Sequence, residues 1–327
     1  MREESLDIWQ LREWIKTKPL DNQLKETKFH RGVEEIVVNL VDYTVNPYKA
    51  MFTIATSTWG DVWNLHRWEN ASVGARLYVI LAILNRKCLP NAMESISFTF
   101  DIAGPSRSAF DQIARARIGA VFGSMGFRDN NHANIGFRVP EAIWKDEYRR
   151  ERFIKGRLQD KEDYIEDLKT GQSNWQDARS MLPMSACHRW AMAMNYMALQ
   201  NFMSKRLMFN EQADTVATAW LVRERIREKF PLLAAYCRPA SDWARKCVEH
   251  VGDEMAQAFG CLFKCSGRWP CTVSDDNIFS FNAACTDREA IMSQLGIYIP
   301  KGDEDLPKQS LRFAELSVTD KKLFFDA

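Results

Sequence analysis

The period of the hydrophobic positions changes several times along the chain, and each change predicts an element. Leu6, Ile8, Trp9, Leu11, Trp14 and Ile15 predict a short amphipathic helix over residues 5–17. Residues 33–45 are β-branched and partly alternating, which predicts a strand. Val73, Leu77, Ile80, Leu81 and Leu84 place a buried helix within residues 71–85. Residues 96–102 alternate as a strand does and lead into a helix opening at Ser106. The Ser106 hydroxyl can accept a hydrogen bond from a free N–H of the first turn. Phe110, Ile113, Ala114 and Ile118 then recur at helical spacing and are predicted to face a core.

Downstream, residues 129–140 read as a polar loop returning to an extended piece, and residues 141–178 as strongly charged helix. After Pro183, Ser185 can cap a helix predicted to run to about Phe209. On that helix His188, Asn195, Phe202 and Arg206 would form one stripe, with Met192, Leu199 and Met203 around them. A buried Asn and Arg on such a stripe require hydrogen-bond partners, either a structural network or a ligand. Further helices are predicted over residues 214–230, stopped by Pro231, and over 243–263.

Composition narrows the class more than it identifies it. A 327-residue chain can bury a large core, and its apolar and charged fractions are ordinary for a globular protein. A net charge of +1 gives no reason to expect a nucleic-acid polymer or an anionic membrane as partner. No apolar run suggests a leader or a span, and eight cysteines then read as reduced thiols, so a cytoplasmic protein is expected. Cys261, Cys265, Cys271 and Cys285 are separated by three, five and thirteen residues. That spacing lacks the paired two-residue knuckles of a zinc ribbon, and buried thiols are expected in place of zinc. His66, in a Trp-rich polar stretch, is expected to be a hydrogen-bonded structural imidazole.

The candidate chemistry lies between Ser106 and residue 131. Gln112 and Arg115 share a helical face, while Arg117 would lie about 200° round from Arg115 in an ideal helix. Gly119, Gly123 and Gly126 follow, then Arg128. Arginine forks beside a glycine-rich turn suit a phosphate-bearing ligand. Arginines in a last helical turn also complement the helix dipole without any ligand.

These residues resemble the flavin-dependent thymidylate synthase signature Arg-His-Arg-x-x-Ser-x-Asn-x-x-Ser-x-Arg-Tyr, with a Gln three residues before the first Arg. The chain keeps Gln112, Arg115 and Arg117 in register, and Arg128 matches the late Arg if one residue is inserted. Ala178-Arg179-Ser180-Met181-Leu182-Pro183 is similar to the family's Ala-Arg-x-x-Leu-Pro segment. Residues 200–206, continuing to Glu211-Gln212-Ala213-Asp214, are similar to its Asn-Phe-Leu-x-x-Arg and Ala-Gln-x-Glu segments. The likeness covers roughly residues 50–235.

The resemblance implies an α+β fold, an antiparallel or mixed sheet flanked by long helices. A catalytic domain would span residues 1–245, with a cysteine-bearing helical and loop extension over 246–327. It implies FAD as cofactor, methylenetetrahydrofolate and NADPH as co-substrates, and a one-carbon transfer to C5 of a pyrimidine deoxynucleotide. It places Arg206 as the catalytic cation on the pyrimidine. Arg179 and Arg128 would hold the nucleotide 5′-phosphate with Gln112 assisting, Arg115 and Arg117 would serve the flavin and the nucleotide phosphates, and Asn195 and Asn201 would lie near the flavin. Family members are homotetramers with sites shared between subunits.

The chain departs from the family pattern at Ala116, Ala120, Phe122, Gly123, Met125 and Leu89, and the resemblance implies that Ala116, Gly123, Met125 and Leu89 lie near ligands. Uracil and cytosine differ at C4, acceptor against donor, and rearranged polar groups can invert that preference. Two further readings stay open: dCMP methylation or hydroxymethylation for modified-base DNA, and a non-catalytic scaffold.

Overall fold

The computed structural model describes residues 27–84, 86, 88–126, 132–170, 175–208 and 211–238. In chain order the elements are strands β1 (Phe29–Arg31) and β2 (Val37–Tyr43), then helices α1 (Pro47–Thr56), α2 (Asn64–Asn70) and α3 (Val73–Leu84). Next come β3 (Ser97–Ser106), α4 (Arg107–Ile113), β4 (Ala120–Ser124), β5 (Phe137–Val139), α5 (Glu141–Trp144), α6 (Glu147–Thr170) and α7 (Trp175–Ala178). Last are β6 (Cys187–Asn195), α8 (Tyr196–Arg206), α9 (Ala213–Arg227) and α10 (Pro231–Ala235).

The expected α+β architecture is present. Four strands form a sheet in the order β2-β3-β6-β4, antiparallel throughout, while β1 and β5 make a small parallel pair. Alternation decides the buried face: Phe98, Phe100 and Ile102 of β3 stand opposite Met194, Met192 and Trp190 of β6, all buried. Helix α3 is buried nearly all round through Leu77, Val79, Ile80, Leu81, Ile83 and Leu84, as its apolar run predicts. Over the fifteen expected positions only Ser72, Arg76, Tyr78 and Asn85 carry a polar side-chain group, so the helix belongs inside the layer beneath the sheet. Tyr43, Tyr48 and Phe98 pack against Phe230, tying the end of the α9 segment to the sheet.

Two expectations are corrected. The helix predicted from Ser185 to about Phe209 is strand then helix, with the break at Asn195. His188, Trp190, Met192 and Met194 are buried while Arg189 and Ala191 face outward, a period of two that fills the gap between β3 and β4. The stripe of His188, Asn195, Phe202 and Arg206 therefore does not exist. Likewise α4 stops at Ile113, and Ile118 is 93% exposed, away from any core. Pro231 does not merely stop α9; it is the first residue of α10, where its missing N–H costs nothing. The helices expected over residues 5–17 and 243–263, and the extension over 246–327, lie outside the described residues.

Candidate active site

The site is built where α4, β4 and α8 meet. Ser106 ends β3 and caps α4, its Oγ accepting from Ala109 N at 3.2 Å. After Ile113 the backbone leaves the helix, and Arg115 and Arg117 stand exposed in the loop before β4. They are not in a last helical turn, so the helix-dipole explanation for them does not apply.

Gly119 closes that loop with φ +69°. A Cβ there would meet Asn195 Nδ2 at 2.5 Å, so both conformation and space demand glycine. Asn195 takes Gly119 O on its backbone N–H at 2.9 Å, and its Oδ1 accepts from Ala198 N at 2.8 Å. One asparagine thus caps α8 and fixes the start of β4, which holds the arginine loop against α8.

Between loop and helix lies a cavity of about 700 Å³. Arg115, Ala116, Arg117 and Ile118 form one wall, and Ala198, Asn201, Phe202, Lys205 and Arg206 of α8 the other, with Arg86 at the end. Arg115, Arg117 and Lys205 have no ion-pair partner among the described residues. Arg206 is 15% exposed and fixed from two sides: its Nη1 donates to Glu211 Oε2 at 2.6 Å and its Nη2 to Gln112 O at 2.5 Å. Arg86 follows α3 at φ +60°. Burial pushes its guanidinium down to about 9, still cationic at neutral pH. Five cations with apolar and aromatic surface between them can accept a ligand that carries phosphates and a flat ring.

Of the residues singled out in the sequence, Arg115, Arg117, Asn201 and Arg206 come together here. Asn195 stands behind the wall as a structural clamp. The Gln112 side chain turns away, donating to Gln212 Oε1 at 3.1 Å and accepting from Thr215 Oγ1 at 3.4 Å. Arg179 is exposed in a short 3-10 turn beside α6 and does not line this cavity. Arg128 and the four late cysteines lie outside the described residues. Arg86 and Lys205 were missed by sequence reading. Lys205 precedes a candidate already chosen and α8 periodicity could have found it; nothing in the sequence around Arg86 signals its direction.

His188 and His132 are buried, and burial pushes each imidazole down to about 4. His188 packs on Phe110 at 4.7 Å between ring centroids, a core role. His66 is exposed on α2, with Asn70 Nδ2 3.0 Å from its Nδ1. No helix among the described residues is long and apolar enough to cross a membrane.

A solved structure described as a UMP/dUMP methylase, PolB of Streptomyces cacaoi bound with 5-Br dUMP, aligns with a TM-score of 0.51 at 19% identity, covering 64% of this chain and 96% of that one. Its likeness is one of fold. A Pyrococcus abyssi protein named flavin-dependent thymidylate synthase is 29% identical over 243 residues, 71% of this chain and 96% of that relative. The Pyrococcus furiosus protein of the same name is 28% identical over 245 residues, with 71% and 96% covered. The family model described as thymidylate synthase complementing protein matches residues 39–232. That match spans more than half of the 327 residues and contains both walls of the cationic cavity, and the chain belongs to the thymidylate synthase complementing protein family.

Proposed function

We propose that this chain is a flavin-dependent methyltransferase that places a one-carbon unit on C5 of deoxyuridine monophosphate. The supporting observation is the convergence of Arg86, Arg115, Arg117, Lys205 and Arg206 on one cavity with an apolar wall. FAD fits these residues: Arg115 and Arg117 would hold phosphates, while Ala116, Ile118 and Phe202 offer surface to a ring system. Bound flavin would supply the reduction chemistry, with NADPH as reductant and methylenetetrahydrofolate as one-carbon donor.

The chain's own part is placement and field. Arg206 retains N–H donors beyond those given to Glu211 and Gln112, and would direct them at a pyrimidine ring oxygen as charge develops there. Glu211 and the Gln112 carbonyl hold the guanidinium plane, so little reorganisation accompanies that step. Arg128 and Arg179 enter by family likeness as nucleotide ligands. Arg179, exposed and outside this cavity, would act on a neighbouring subunit's site in a homotetramer.

The test is direct. Purified protein should show a flavin absorption spectrum, alone or after FAD addition. Incubation with folate donor, NADPH and dUMP should give dTMP by mass spectrometry, with dCMP as the competing arm. A protein that takes up no FAD and converts neither nucleotide would end this reading.

A further inference from the structure

Gln112 stands between two cavities. Its carbonyl holds Arg206, which lines the first, and its side chain holds Gln212, which lines a second cavity of about 270 Å³. Two opposite charges line that second space, Arg138 at 3% and Asp214 at 4% exposed. Neither spends its bonds on the other. Arg138 donates to the carbonyls of Gly104, Gly32 and Glu34 at 2.8, 2.8 and 2.9 Å. Asp214 Oδ2 accepts from Ser106 N at 3.0 Å and Ser106 Oγ at 2.7 Å. Among the described residues, Arg138 Nη2, Asp214 Oδ1 and the Ser185 Oγ are buried without a hydrogen-bond partner. All three residues line the same cavity.

Opposite charges in a low-dielectric interior attract strongly. These two are anchored apart by neutral groups, which leaves a donor and an acceptor unsatisfied around one space. The space exceeds the share of several waters at about 30 Å³ each. We propose that this cavity is a second binding site for a small uncharged molecule bearing a carbonyl acceptor and an N–H donor on one edge, of the lactam, imide or carboxamide class. The carbonyl meets Arg138 and the Ser185 hydroxyl; the N–H meets Asp214. Arg138 and Asp214 cancel in charge, and the remaining carboxylate, Glu141, is held by Arg31 at 2.9 and 2.7 Å. A lone anion would face Asp214 and a lone cation Arg138, so a dipolar neutral edge is the complement. A zwitterion would bring two more charges to desolvate.

Ligand-observed NMR on the full chain, titrated with uracil, nicotinamide and glycine, tests this without any turnover and so independently of the proposed activity. Uracil or nicotinamide should bind saturably, and glycine should not. In Asp214→Asn the carboxamide oxygen is claimed by Ser106, which turns its NH2 toward the ligand N–H, and binding should fall about tenfold or more. Ser185→Ala, which removes only a hydroxyl, should weaken binding several-fold and decides the matter if the Asp214 variant does not fold. Arg115→Ala should leave binding unchanged. Absence of saturation by both amides, preference for glycine, indifference to both Asp214→Asn and Ser185→Ala, or loss in Arg115→Ala would each overturn the proposal.

Discussion

The two cavities that flank Gln112 hold their arginines in opposite ways. In the larger one Arg115 and Arg117 stand exposed on a loop, with no ion-pair partner among the described residues. In the smaller one Arg138 is buried and fastened to three backbone carbonyls. An exposed cation keeps its charge available to an incoming anion and adds little to stability. A buried cation that satisfies carbonyls holds the chain together, here the segment before β2 and the Gly104 bend of β3. Arg206 combines both states, half committed to Glu211 and Gln112 and half facing the cavity.

The sharpest way to break this contrast is at Arg206. Arg206→Ala should lower turnover of dUMP by about 100-fold or more, because it would delete the donor proposed for the developing charge. Its thermal midpoint should move little, since Glu211 is partly exposed and can hydrate. Activity near wild type in steady-state assays would remove Arg206 from the chemistry. Arg138→Ala should do the reverse in kind: a stability loss of about 3 kcal/mol in urea titrations, from three carbonyls left without their donor. An Arg138 variant as stable as wild type would show that the buried arginine carries no structural weight.

Gly119→Ala should cost about 1–3 kcal/mol, because φ is +69° and the new Cβ would press on the Asn195 amide. The same change should loosen flavin or nucleotide binding, since it displaces the loop bearing Arg115 and Arg117. A further effect is on pH. His132 and His188 stay neutral in the fold until about pH 4, whereas an unfolded imidazole titrates near 6.5. Between those values the unfolded state binds more protons, so stability falls as pH drops from about 6.5 toward 4. Each histidine should contribute up to about 1.4 kcal/mol per pH unit in that window. Thermal midpoints that stay flat from pH 7 to pH 5 would contradict it.

Much of the scaffold is legible in the sequence. The Ser106 cap, the apolar α3 run, and the alternation of β3 are local signals, and each formed the element it predicts. The family blocks pointed to Arg115, Arg117, Asn201 and Arg206, which share the cavity. The helix expected from Ser185 and the stripe expected on it failed for the same cause. Met192, Leu199 and Met203 fit a helical spacing, while His188, Trp190, Met192 and Met194 fit a spacing of two. Sequence alone offered both. The vacancy between β3 and β4 selected the strand.

What the sequence determined by itself is therefore the inventory: the elements with unambiguous period, the family, and the arginine-bearing segments. Tertiary structure decided which charges are free and which are spent. Whether Gln112 offers its carbonyl to Arg206 or its amide to Gln212, and whether Arg138 faces water or carbonyls, depends on contacts between residues about a hundred positions apart. Local periodicity carries no term for such contacts, because it registers only which side of an element a residue occupies.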